Sequence, residues 1–176
     1  GFLTPKERTS QGFLFANTSS ADLYNINPQN GQVVWASNTA ESLYSNATDF
    51  YKASQILISK NELIYSSGKS TFSQNTLTGA TNWKSEISSV GTPIVDGENI
   101  FIVTENGYFA ILNRKNGNII SSTNIFNVLK KRKQKTKVTS FLLASGKVIA
   151  VTLNGNLIVS SATSGKTEFF KDIKDK

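Results

Sequence analysis

The chain contains no cysteine, no histidine and no methionine in 176 residues. Without cysteine there is no disulfide framework, no thiolate metal site and no thiol nucleophile. Without histidine the commonest general base and metal ligand is gone as well, and the abundant serines have no imidazole to activate them. No apolar run approaches the roughly 18 residues that a helix needs to cross a bilayer, and the residues after Gly1 show neither a charged leader region nor an apolar stretch behind it. The lack of Met even at position 1 reads as a processed or excised portion of something longer. Acidic residues number only 12 and are scattered, many at turns or in the tail, as with Glu62, Asp96, Glu98, Glu105, Asp172 and Asp175. Their spacing offers no carboxylate pair for acid–base chemistry. The expectation is a chain with no catalytic residue, no metal and no cofactor.

What is present is ordinary globular composition, 38% apolar and 18% charged, enough for one domain with its own core. The net charge of +7 has a local origin. The stretch KKRKQKTK holds Lys130, Lys131, Arg132, Lys133, Lys135 and Lys137, and the rest of the chain carries 13 basic residues against 12 acidic. A pI near 9.6 therefore describes one segment and not a basic surface. These six residues are the candidate partner-binding group, facing an acidic protein surface or lipid headgroups. Nucleic acid is disfavoured, because no aromatics suited to base stacking are interleaved with them.

Four segments repeat one pattern: LYNINPQNGQVVW, TFSQNTLTGATNW, FAILNRKNGNIIS and VSSATSGKTEF. Each has a β-rich run, then Asn or Ser, three residues, Gly, and a further residue four places on. The glycines are Gly31, Gly79, Gly117 and Gly165, spaced 48, 38 and 48 residues apart, and the residues four beyond them are Trp35, Trp83, Ser121 and Phe169. Gly after Asn, Thr or Ser marks a tight turn that needs positive φ, so each segment reads as strand, turn, strand. A second pair of strands precedes the last three, with turns at Lys60-Asn61 and Gly68, at Asp96-Gly97 and Asn106-Gly107, and at Ser145-Gly146 and Asn154-Gly155. Residues 1–9 offer no apolar first strand for the first unit. Runs such as IFIV and KVIAV are continuously apolar, which predicts sheets buried on both faces.

The expected fold is all-β: a β-propeller of four-stranded antiparallel blades, about four in number, forming a partial ring or half of an eight-bladed one. The repeat units fall at about 10–37, 54–86, 91–122 and 138–171 within one propeller domain spanning 1–176, with a basic inter-blade loop over 123–137. In that loop NIFNVLKK is apolar enough to pack as a short helix or strand. Four units leave an apolar blade face at each end, so the chain is expected to close on itself, to pair with another chain, or to adjoin further blades.

The strand–Asn–turn–Gly–x–x–x–Trp pattern resembles the PQQ-type β-propeller repeat family, whose usual form is A-x-D-x-x-T-G-x-x-x-W. Here Asn27, Asn75 and Asn113, and Ser161 in the last unit, stand where the Asp is usual, and Thr78 keeps the Thr before Gly. The resemblance implies that Trp35 and Trp83, with Gly31, Gly79, Gly117 and Gly165, dock neighbouring blades. The chain is most similar to the BamB-like branch, which implies a non-catalytic protein-binding scaffold in the periplasm, associated with the outer membrane and its β-barrel assembly machinery. Quinone-dependent dehydrogenases share the repeat and are the alternative, as is an unrelated propeller adaptor.

Overall fold

The computed structural model describes residues 8–10, 12–18, 21–39, 53–128 and 136–173. Sixteen strands among them form four sheets of four, each an antiparallel meander in chain order. Blade 1 holds β1 (Arg8–Ser10), β2 (Phe13–Asn17), β3 (Asp22–Ile26) and β4 (Val33–Asn38). Blade 2 holds β5 (Leu57–Ser59), β6 (Glu62–Ser67), β7 (Ser70–Asn75) and β8 (Thr81–Ser85). Blade 3 holds β9 (Ile94–Asp96), β10 (Asn99–Val103), β11 (Tyr108–Asn113) and β12 (Ile119–Asn124), and blade 4 holds β13 (Val138–Ala144), β14 (Lys147–Thr152), β15 (Asn156–Ser161) and β16 (Thr167–Asp172). The fold is a β-propeller with four blades of the PQQ-like repeat type. No helix among the described residues is long and apolar enough to cross a membrane.

The turns decide where each strand ends. Lys60 (φ 55°), Gly97 (φ 57°) and Ser145 (φ 49°) occupy the left-handed region between the first and second strands of blades 2, 3 and 4. Gly68, Gly107 and Gly155 do the same between second and third strands, where a residue with a Cβ would be strained. Thr104 and Thr152 stabilise two of these latter turns, their Oγ1 accepting from the backbone NH of Tyr108 and Asn156.

Two compact units divide the chain, Gly1–Ser88 with blades 1 and 2 and Ser89–Lys176 with blades 3 and 4. In the first, Phe15 and Leu23 of blade 1 bury against Ile56, Leu63, Tyr65 and Phe72 of blade 2. In the second, Phe101 and Phe109 of blade 3 bury with Val148, Ala150 and Ile158 of blade 4. Blade 2 differs by lining its interior with hydroxyls. Ser66 Oγ and Thr71 Oγ1 lie 2.8 Å apart, Thr71 donates to the Ile87 carbonyl, and Ser54 Oγ accepts from the Ser66 backbone NH. Such small polar residues tolerate burial because each hydroxyl finds a partner there.

Two local features depart from the sequence reading. A first strand does form in blade 1, from the polar Arg8–Ser10 at one edge of the sheet, pairing with Phe13–Phe15. Strands β6, β10 and β11 bury both faces, but β14 alternates buried and half-buried positions along KVIAV. One face of blade 4 is therefore open. The apolar NIFNV insert, expected to pack as a short helix or strand, forms one 3-10 turn, Ile125–Val128.

Candidate protein-interaction site

The four pivot turns are copies of one hydrogen-bonded unit. Gly31, Gly79, Gly117 and Gly165 have φ between 68° and 72°, and their NH groups donate to the carbonyls of Asn27, Asn75, Asn113 and Ser161 at 2.8–2.9 Å. The Asn or Ser side chain caps the turn: Asn27 Oδ1 accepts from Gln29 NH, Asn75 Oδ1 from Leu77 and Thr78 NH, Asn113 Oδ1 from Lys115 NH and Ser161 Oγ from Thr163 and Ser164 NH. A side-chain oxygen at this place satisfies donors that the turn otherwise leaves open. An Asn side-chain oxygen accepts these bonds as an Asp carboxylate can.

Trp35 lies flat on the Gly79 turn. A Cβ built on Gly79 would fall 2.7 Å from two carbons of the indole, so only glycine leaves room for the ring. The indole Nε1 donates to the Thr76 carbonyl at 3.0 Å, and Asn25 Nδ2 donates to the same oxygen at 3.2 Å. Phe15 packs against Trp35 with ring centroids 5.9 Å apart. Trp83 is buried, with 8% of its surface exposed. Ser121 is exposed, and Thr123, two residues on and on the same face of β12, lies over the Gly165 turn instead. A Cβ on Gly165 would sit 2.6 Å from Thr123 Cβ, and Thr123 Oγ1 donates to the Ser164 carbonyl at 3.4 Å. Phe169 is half exposed, and a Cβ on Gly31 would meet no described atom within 4 Å. Sequence reasoning missed Thr123 because it searched only the fourth residue after the glycine; the two-residue strand period would have pointed to it.

Of the basic stretch, Lys130, Lys131, Arg132, Lys133 and Lys135 lie outside the described residues. Lys137 is exposed, and its Nζ is 2.9 Å from Glu105 Oε2. Both ends of the loop are fixed to the β10–β11 turn: Ile125 NH donates to the Gly107 carbonyl, and Val138 NH donates to the Glu105 carbonyl. Leu153 NH, in the β14–β15 turn, donates to the Lys137 carbonyl. Phe126 packs directly on Gly107, where an added Cβ would meet the ring at 2.6 Å. The sequence signal for this anchor was the apolar insert itself. Among the described residues, no three or more His, Cys, Asp or Glu gather where a metal ion could be held. Burial pushes the Tyr65 phenol well above its ordinary value of 10.0.

The family model for outer membrane protein assembly factor BamB matches residues 4–123. The chain belongs to this BamB family. No curated protein matches it. Among solved structures, BamB from Moraxella catarrhalis aligns with TM-score 0.68 and 18% identity, over 93% of this chain and 50% of that one. Quinohemoprotein alcohol dehydrogenase from Comamonas testosteroni aligns with TM-score 0.71 and 10% identity, over 97% and 35%. The computationally designed Ika4 protein aligns with TM-score 0.65 and 9% identity, over 88% of each chain. At these identities the likenesses show the fold alone. The chain spans about half the length of the Moraxella BamB structure.

Proposed function

We propose that this chain is a non-catalytic protein-binding scaffold of the bacterial envelope, with a BamB-like role in outer-membrane β-barrel protein assembly. Its place is the periplasm, in association with the outer membrane. The observation that carries this reading is the BamB family match over residues 4–123. The pivot turns support it, because Trp35, Gly79, Thr123 and Gly165 are used in packing one blade on the next and hold no side chain poised for chemistry. In this reading Trp83 and Gly117 serve the same docking role, and Gly31 belongs to the same set. The basic loop, anchored by Glu105 and Gly107, presents Lys130, Lys131, Arg132, Lys133 and Lys135 beside Lys137 to an acidic partner surface or to lipid headgroups.

Cell fractionation followed by affinity purification of the full-length protein tests this. The expected result is recovery in the envelope together with the outer-membrane assembly machinery; a cytosolic protein that brings down no envelope component overturns it. A dye-reduction assay with added calcium and quinone separates the dehydrogenase reading, for which turnover above background is required. The basic loop is tested by replacing its six basic residues with Gln. Association with an acidic partner or anionic vesicles then weakens and loses its salt dependence, while a low-salt gel shift with nucleic acid stays negative throughout.

A further inference from the structure

The two ends of the second unit differ in the chemistry of their turns. At one end the turns β9–β10, β11–β12, β13–β14 and β15–β16 expose polar residues, among them Glu98, Lys115, Asn116, Ser145 and Thr163. At the other end, where the β14–β15 turn lies beside the start of β13 and the close of β16, large apolar side chains stand in water. Leu153, in that turn, is 65% exposed, more than any other large apolar residue described. Tyr108, the first residue of β11, is 46% exposed, and Ile173, directly after β16, is 51% exposed.

Hydrogen bonds link these positions. Val138 NH reaches the Glu105 carbonyl in the turn before Tyr108, Leu153 NH reaches the Lys137 carbonyl at 2.8 Å, and Ile173 NH reaches the Gly155 carbonyl at 2.7 Å. The turns themselves do not call for apolar residues. Both close through a glycine NH on a threonine carbonyl, Gly107 to Thr104 and Gly155 to Thr152. Glu105 stands in blade 3 where Leu153 stands in blade 4, and Asn156 stands in blade 4 where Tyr108 stands in blade 3. Either place thus accepts a polar residue. The charge at this end is one-sided. Lys137 closes the basic run, Lys171 is exposed on β16, and the sequence holds no acidic residue between Glu105 and Glu168. Of the acids here, Glu105 is already paired with Lys137 and Asp172 is half-buried.

We infer, on the envelope role proposed above, that this end of the second unit rests on an anionic phospholipid surface. Leu153, Tyr108 and Ile173 enter the headgroup layer while Lys137 and the cations beside it meet phosphates. Separate apolar tips on turns, one of them a tyrosine, can each enter the boundary between headgroups and acyl chains without a fitted pocket. A protein partner needs such pockets for its anchors. The cations add an attraction to anionic headgroups that salt screens.

Sedimentation with vesicles tests this. The chain is expected to pellet with vesicles of equal parts phosphatidylglycerol and phosphatidylcholine, and to stay in solution with phosphatidylcholine alone. A chain carrying Leu153→Asn and Tyr108→Asn should bind the anionic vesicles at least about 10-fold more weakly, with unchanged far-UV circular dichroism and the same slope against salt. The absence of natural cysteine gives a second readout. An environment-sensitive dye on Leu153→Cys should shift to the blue on the anionic vesicles, and the same dye on Thr163→Cys, at the polar end, should not. Failure to pellet, binding indifferent to the double variant, or equal dye shifts at both ends overturns the proposal. A protein partner lost in the double variant, without vesicle binding, overturns it in favour of a protein surface. If the assembly machinery is recovered by affinity purification but vesicles do not bind, the lipid surface falls and the scaffold reading stands. Vesicle binding as described, without that recovery, supports the lipid surface and sinks the scaffold reading.

Discussion

Glycine at a pivot turn has two separable reasons to be glycine, and this chain isolates them. Gly31 and Gly79 share φ near 71–72°, but only Gly79 has an indole on its Cα. Gly31→Ala should cost about 1–2 kcal/mol, the left-handed backbone term alone. Gly79→Ala should cost clearly more, because its Cβ displaces Trp35; equal midpoints in chemical denaturation would refute the packing assignment. Trp83→Ala, at a buried aromatic, should cost about 3–5 kcal/mol. Tyr65 supplies a test of opposite sign. Its hydroxyl is buried and has no hydrogen-bond partner among the described residues, so Tyr65→Phe should leave stability unchanged or raise it. The folded phenol holds its proton above the unfolded value of 10.0. As pH rises past that value the unfolded state releases its proton first, and stability falls. The variant should lose less stability between neutral and strongly alkaline pH than the parent; parallel pH profiles would show that the phenol is not buried in solution.

At the scale of the element, the turn chemistry carries the repeat. Asn75→Ala removes the acceptor for two backbone NH groups and should cost about 1 kcal/mol, read as a shift in denaturation midpoint. No shift would mean that Gly79 alone sets the turn. Apart from β1, the strands and their grouping into four blades were legible because Gly, Asn and Ser recur at fixed offsets between β-rich runs, and those residues report backbone conformation directly. What was not legible had no such marker. Strand β1 is built from Arg-Thr-Ser and pairs with β2 along its backbone. Thr123 takes the place over Gly165 although its residue type says nothing of docking. The apolar run of β14 predicts burial on both sides, yet burial of the second face depends on a neighbour that the run itself cannot specify. The basic loop was visible as charge, while its tether to Glu105 and Gly107 is a tertiary fact. Lys137→Gln, which breaks an exposed ion pair, should change stability by no more than about 1 kcal/mol; a larger loss would make the loop base part of the fold and not a presentation device.

For the whole molecule, repetition explains the stability. Each blade buries one face only when the next supplies the other, so large side chains are committed to junctions and the exposed remainder is left for contacts with other molecules. If the proposed scaffold role holds, the protein acts by holding a partner, and its loss is felt as failed assembly in place of an accumulated substrate. The most direct measurement is the amount of folded β-barrel protein in the outer membrane of the source bacterium when this gene is depleted. The account predicts that those proteins fall together and recover when the intact gene is restored. Unchanged β-barrel levels on depletion would contradict it.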